Sequence, residues 1–375
     1  MPLGGRVYKQ IEKIGRKKVN QCKGLPLAII VLGGILVDKE TPIEWKKVSP
    51  SIKSSEEFDV VQRVLALSYQ DLPYKYKPYF LYLSHFPEDS EILAEKLCKL
   101  WMAEGFLLIH DRGEEETMLD VAARYLAALA QMIQVQINES TGRIKSCRIH
   151  HLMREMCILK AREQNFVKII HLQHKNDLVD FCSSTTPKIR RLAIHLSRDV
   201  KGVVLPDFDG IQHLRSLLLF SSDRYGELEN YHFKNFKLLK VLDLEGFVLR
   251  GKSVEEIRKL IALRYLGLQQ CTIMGFFPPI SMLQYVETLD LRSAALWGQT
   301  TITLQKMERL RHLYVSFRGG WRYTFKLHVL SHLGTLEGFY TGTFDVNDLC
   351  KLDNVRQLVA SFYDFHNQDL ATFVN

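Results

Sequence analysis

The stretches LKVLDL at 239–244 and LRYLGL at 263–268 are written to one plan, and six more share it. These are IRRLAI (189–194), LRSLLL (214–219), VETLDL (286–291), LRHLYV (310–315) and, more weakly, LEGFYT (336–341) and VRQLVA (355–360). Successive starts lie 25, 25, 24, 23, 24, 26 and 19 residues apart. A repeat of about two dozen residues cannot bury its leucines alone, but stacked copies share one continuous core. Each unit should give a short strand and then an irregular or helical return such as VEEIRKL (254–260). Residues 185–375 are therefore expected to form an α/β solenoid.

That spacing is the leucine-rich-repeat period. Side chains alternate along a strand, so residues between the inward leucines should face outward on the concave side. They are Phe220, Asp243, Glu245, Gln269, Asp290, Arg292, Tyr314, Ser316 and Tyr340. Mixed charge with exposed aromatics suits a protein-binding surface, and these residues are the candidate partner contacts. Cys271 falls at the Asn/Cys position of LRYLGLQQC (263–271), where a small polar side chain satisfies backbone groups at the turn.

Upstream the pattern is helical. A charged segment, a Gly-Leu-Pro turn and an apolar run span 10–37. Pro26 suits a first helical turn, where its missing N–H costs nothing. Apolar residues recur at helical spacing over 56–70, 74–85, 91–104 and 117–130. The period then drops to two in MIQVQIN (132–138) and RIKSCRIH (143–150), around the turn ESTG (139–142). That pattern predicts a hairpin, followed by a helix over 152–163. Helices closed by a hairpin and another helix make a winged-helix-like arrangement.

A winged helix can read DNA. Net charge is +8, and residues 1–23 hold seven cations against Glu12, a local +6. Against DNA readout, no Lys/Arg-rich recognition helix appears and 91–104 is mixed in sign. A solvated helix face explains the basic end. The seven cysteines form no C-x-x-C pair, which reads as free thiols in a reducing compartment. The longest nearly uninterrupted apolar run, 25–37, is too short to cross a bilayer. A place inside the cell follows, in the cytoplasm or also at the nucleus or a membrane surface.

Chemistry motifs are sparse. The sequence has no G-x-S-x-G or H-E-x-x-H, so no catalytic residue is nominated and no enzyme activity is expected. His171 and His174 lack neighbouring acids or thiols at ligand spacing. His150 and His151 are adjacent, and neighbours on a helix diverge by about 100°. They are poor joint ligands for one metal.

Four segments nevertheless fall together. GLPLA (24–28), FLYLSHFPED (80–89), WMAEGF (101–106) and RIHHLMRE (148–155) stand in order ahead of the repeats. The series resembles the GLPLA, winged-helix and MHD signatures of plant coiled-coil nucleotide-binding leucine-rich-repeat (NB-ARC-LRR) disease-resistance proteins. The resemblance implies an α+β multidomain chain. Its parts would be a basic tail (1–9), a partial helical ARC1 segment (10–55), a winged-helix ARC2 domain (56–165), a linker (166–184) and the repeats (185–375).

It also implies a fragment of an intracellular immune receptor, acting in defence by protein recognition and lacking the coiled coil and P-loop core. An incomplete gene model, a truncated paralogue and a relic are equally compatible. Intact relatives are switched by ADP and ATP. The resemblance puts Pro26 beside the purine and His150 at the phosphate. This chain alone is expected to hold neither nucleotide stably. The partners implied are a host or pathogen protein on the repeats and the missing nucleotide-binding core in cis or trans. His151 stands where the family has Asp. An Asp before a helix caps it and complements its dipole, so histidine here should weaken the closed state. Two alternatives remain open: an ATPase switch, if a P-loop lies upstream in the true gene, and a winged-helix nucleic-acid binder.

Overall fold

The computed structural model describes residues 3–22, 24, 26–37, 39–48, 60–172, 189–197, 211–221, 226–229, 233, 236–274, 280–297, 304, 306–315, 327, 329–339, 346–349 and 351–360. The chain divides into two compact units, Met1–Met102 with Phe106–Gln164, and Ala103–Gly105 with Asn165–Asn375.

The first unit begins with α1 (Leu3–Gln21), α2 (Pro26–Val37), α3 (Pro42–Lys47) and α4 (Val60–Asp71). α2 is apolar on all sides, and Ala28, Val31, Leu32, Ile35 and Leu36 are buried. α3 starts with a reciprocal cap: Thr41 Oγ1 accepts from Glu44 N, and the Glu44 carboxylate accepts from Thr41 N. Not every cation of the basic end is solvated. Lys18 is buried, and its ammonium donates to the Val48 carbonyl.

The winged-helix part continues with α5 (Lys77–Tyr82), β1 (Ile92–Leu93), α6 (Ala94–Glu104), α7 (Met118–Ala128), β2 (Gln134–Ile137), β3 (Ile144–Arg148) and α8 (His151–Glu163). The helical spacing over 74–85 is realised as α5 between two 3-10 turns. Pro78 sits in the first turn of α5, where it blocks a longer upstream run. The hairpin pairs β2 with β3 and closes at Gly142, whose φ of 66° few other residues adopt cheaply. β1 adds to β3 and completes a three-stranded sheet. The core beneath is aromatic. Tyr79 meets Trp101, Phe106 and Tyr125 edge-on at centroid distances of 5.0, 5.7 and 4.9 Å.

The second unit is the repeat array. Its strands are β4 (Lys168–Leu172), β5 (Arg191–Leu196), β6 (Ser216–Ser221), β7 (Gly226–Glu229), β8 (Val241–Glu245), β9 (Phe247–Arg250), β10 (Tyr265–Gly267), β11 (Thr272–Met274), β12 (Thr288–Leu291), β13 (Ala295–Trp297), β14 (His312–Val315), β15 (Thr335–Phe339) and β16 (Gln357–Ala360). Among the described residues two short α-helices interrupt them, α9 (Lys252–Ile257) and α10 (Val346–Leu349). Nine strands form one parallel sheet in the order β16-β15-β14-β12-β10-β8-β6-β5-β4.

One hydrogen bond recurs from unit to unit. Arg215 N donates to Arg190 O, Lys240 N to Arg215 O, and Arg264 N to Lys240 O, each at 2.7 Å. Inward leucines stack behind this ladder. Leu239, Leu242, Leu244, Leu263, Leu266 and Leu268 are all fully buried. Each stabilises by about 1.5–3 kcal/mol on burial.

Three expectations are corrected. Residues 168–172, expected within a linker, form β4 and pair residue for residue with β5. Their alternating burial needed a partner strand, which the linker reading did not supply. The seventh unit is LGTLEG (333–338), because Leu336 pairs with Leu313 and Leu358. The spacings 26 and 19 thereby become 23 and 22. A tempting Leu336 start had hidden the conserved step of the backbone. Finally, four returns are strands: β7, β9, β11 and β13 make a second parallel sheet.

Cys271 occupies the turn position expected of it. Its thiol donates to the Leu244 carbonyl at 2.6 Å, and burial pushes its pKa up to about 12. The group is a structural donor and not a nucleophile at neutral pH.

Candidate recognition face and the His150 cap

The register sets the outward positions of successive strands side by side. Asp243 pairs with Gly267, Gly267 with Asp290, and Asp290 with Tyr314. One step along, His171 pairs with His195, His195 with Phe220, and Phe220 with Glu245. Strands about 4.8 Å apart pack such side chains against each other. As a result the face is less open than its sequence suggests. Asp243, Gln269, Asp290 and Tyr314 are buried, while Phe220, Glu245 and Arg292 are half-buried. Tyr314 was expected as an exposed aromatic; the flanking strands cover it. Ser316, Tyr340 and His174 lie outside the described residues.

Charge is ordered across this face. Arg292 donates to both Asp290 oxygens, Nε to Oδ1 at 3.1 Å and Nη2 to Oδ2 at 2.6 Å. Gln269 donates to the same carboxylate. The Arg292 guanidinium also lies 4.6 Å from the Tyr314 ring centre and 3.9 Å from Glu337. Burial works against the Arg292 charge, but the Asp290 hydrogen bonds and the charges of Asp290 and Glu337 together outweigh it and hold the pKa above its usual value. His171 and His195 meet edge-on at 4.9 Å, and His195 and Phe220 at 5.3 Å. No group of three or more potential metal ligands exists among the described residues.

The outward pattern also uses two residues that were not nominated, although alternation sets both beside the inward Leu266. Tyr265 is buried, and Gly267 lies two places along. A Cβ at Gly267 would meet Asp243 Oδ1 and lie 2.8 Å from Tyr265 Cε1. Only glycine lets the Tyr265 ring lie across the strand beside that carboxylate. Burial pushes the Tyr265 phenol well above its ordinary pKa, and Asp243 and Asp290 add to the effect. The sequence signal was there, in a Tyr-x-Gly set between carboxylates of adjacent units.

The first unit holds the histidine pair. His150 is the N-cap of α8, and its Nδ1 accepts from Leu152 N at 3.3 Å. The expected cap at 151 is thus one residue off: His151 is the first helical residue. The two rings sit 4.3 Å apart and tilted by 31°. α8 is pinned to the segment 80–89 by Arg154 Nε to Phe86 O at 3.0 Å and Cys157 Sγ to Phe80 O at 3.1 Å. Pro26 is exposed at the first position of α2.

Residues 86–157 match the disease resistance protein winged-helix domain, and residues 213–374 match a leucine-rich repeat region. An Arabidopsis thaliana protein described as a disease resistance protein is 33% identical over 380 residues, covering 96% of this chain and 40% of the relative. Over nearly its whole length the chain is similar to plant disease resistance proteins. Disease resistance protein RPP8 of the same plant is 32% identical over 385 residues, covering 95% of this chain and 40% of the relative. Disease resistance RPP8-like protein 3 is 32% identical over 369 residues, with coverage of 95% and 40%. The chain spans about 40% of the length of these curated relatives. Among solved structures, a Leptospira interrogans leucine-rich-repeat protein aligns with a TM-score of 0.38 and 18% identity, over 60% of this chain and 55% of that chain. No helix among the described residues is long and apolar enough to cross a membrane.

The cap makes His150 pH-sensitive. Burial lowers the His150 pKa from 6.5, His151 lowers it further, and Asp89 opposes both. Its acceptor nitrogen must be unprotonated. A folded pKa below the unfolded one means the stabilisation is present above about pH 6.5. It is lost as pH falls from there through the folded value. Melting of the helical unit should therefore drop between pH 7.5 and 5.5. His150→Asn, which caps without titrating, should flatten the drop; an unchanged pH slope in that variant would refute the assignment.

Proposed function

We propose that this chain acts in plant disease resistance by protein recognition on the outward face of strands β5–β14. The observation that carries the reading is the ordered charged and aromatic array from His195 and Phe220 through Asp290, Arg292 and Tyr314. Rigid aromatic and arginine anchors are what interface hot spots use. Crosslinking of the tagged chain in leaf extract should join a second protein to residues 191–315. Crosslinks confined to residues 3–164 would count against it.

The same reading has no catalytic step: the chain binds and does not turn over substrate, and it works in the cytoplasm. Pro26 and His150 would serve a nucleotide only beside a phosphate-gripping domain. The one G-x-x-x-x-G-K-[ST] match in the sequence, GFVLRGKS (246–253), lies within the repeats. There Phe247–Arg250 form the sheet-paired strand β9, with Phe247, Val248 and Leu249 buried, and not a loop that can cradle phosphates. ADP should give no resolvable heat of binding to the purified chain, and micromolar affinity by calorimetry would overturn this. In the intact receptor His151, at the first position of α8, would lack the negative charge that complements the positive helix end and so loosen the nucleotide-closed state. His151→Asp in a full-length receptor should then raise ADP retention; equal retention would sink the idea.

A further inference from the structure

A column of cations crosses the first repeats. Arg190, Arg215, Lys240 and Arg264 stand immediately before β5, β6, β8 and β10, which are neighbours in the sheet. Their backbones are rungs of the recurring hydrogen-bond ladder, so the four side chains start about 4.8 Å apart. Glu287 holds the next place, followed by Arg311, Gly334 and Arg356. Glu287 N and Gly334 N make the same backbone bond, each at 2.8 Å. The fold therefore asks for no cation at this position. Arg190 is exposed and the other three are half-buried. Among the described residues none of the four makes an ion pair. Of the carboxylates close by, Glu104 is held by Arg191, and Asp243 on β8 is buried. Burial lowers the Lys240 pKa, and Arg264 and Arg215 lower it further, against Glu104. Like charges set side by side repel, so the column works against the fold and calls for another use. Lys240 and Arg264 also approach one open point. Gly105 is exposed, and a Cβ there would lie 3.9 Å from Lys240 Nζ and 4.0 Å from Arg264 Nη1.

We propose that this column, Arg190, Arg215, Lys240 and Arg264, receives a run of aspartate or glutamate side chains from the partner protein. The inference rests on the recognition reading above, whose strands these residues precede, and names the charge of what binds there. Guanidinium groups match carboxylates with two parallel hydrogen bonds, and an ammonium donates to them from any side. Single-stranded nucleic acid is held differently, by cations interleaved with exposed stacking rings. The residues that follow the four cations are Arg191, Ser216, Val241 and Tyr265, and the one ring among them is buried. An acidic protein segment is the better fit.

The test uses the full chain, with labelled hexaglutamate and oligothymidylate followed by fluorescence anisotropy. A net charge of +8 attracts any anion, so two charge-matched variants are compared. Lys240→Gln with Arg264→Gln empties the centre of the column. Lys9→Gln with Lys13→Gln removes the same charge from α1. Saturable hexaglutamate binding is expected, weakened about tenfold or more by the first variant and little by the second. The first variant should melt no lower than wild type, because Glu287 and Gly334 already occupy this position in other units. Unchanged affinity in the first variant, equal weakening in both, or no hexaglutamate binding at all would overturn the proposal. Oligothymidylate bound more tightly than hexaglutamate, and released by the first variant, would make the partner a nucleic acid and overturn it too. Crosslinks from leaf extract to residues 191–315 that persist in the first variant would overturn the acidic partner yet leave the recognition reading standing.

Discussion

Trp101→Ala should destabilise the helical unit by about 3–5 kcal/mol, among the largest effects of any single change. The side chain is fully buried beside Leu97 and Leu100, which are buried to the same degree. Its ring meets Tyr79 edge-on at 5.0 Å, and Tyr79 in turn meets Phe106 and Tyr125. Removing the indole leaves a cavity at the centre of a cluster whose other rings are already engaged. Chemical denaturation followed by near-ultraviolet circular dichroism would read the loss directly. Trp101→Phe supplies the contrast. The indole Nε1 is buried with no hydrogen-bond partner among the described residues. Phenylalanine therefore sacrifices volume but no hydrogen bond, and should cost clearly less than alanine. Equal losses for the two variants would mean that packing is not what holds this core.

The second large effect is expected in the repeat unit. Arg191 donates from Nε to Glu104 Oε2 at 3.1 Å, and the Glu104 side chain is wholly buried. Arg191 also donates from Nη1 to Phe166 O at 3.3 Å and lies 4.3 Å from the Phe166 ring centre. Burial raises the Glu104 pKa, and Arg191 opposes that rise. Arg191→Met strands a buried carboxylate, at a cost of about 3–5 kcal/mol. The double variant with Glu104→Gln removes the stranded charge and should recover a large part of the loss. Urea midpoints of the repeat transition would measure both. If the double variant is as unstable as Arg191→Met, the pair is not the source of the effect.

Much of this architecture could be read from residue order alone, and the exceptions have physical causes. The leucine step marks every central strand because inward positions must be apolar whatever else the unit does. β8 and β10 follow from Leu242 and Leu266 with no further information. The seventh unit slipped by three residues because Leu333 and Leu336 are both buried and both begin an acceptable pattern. Only pairing of Leu336 with Leu313 decides between them. β4 escaped because it lacks the leading leucine and is defined by its neighbour β5. Returns such as β9 and β11 were invisible as a sheet, since a three- or four-residue strand carries no period of its own. At the recognition face, residue identity nominated Asp290 and Arg292. It could not show that Asp290 would be buried by its neighbours, or that Gly267 would make room for Tyr265.

The strand-built returns carry a mechanical implication. Adjacent strands advance by about 4.8 Å, whereas packed helices need roughly 8–10 Å. From β7 to β13 the strand-built parts of the returns advance in step with the main sheet, although α9 interrupts one return. The outward positions along this stretch are evenly spaced marks. A rigid, linear segment could lie along it and meet every mark at once.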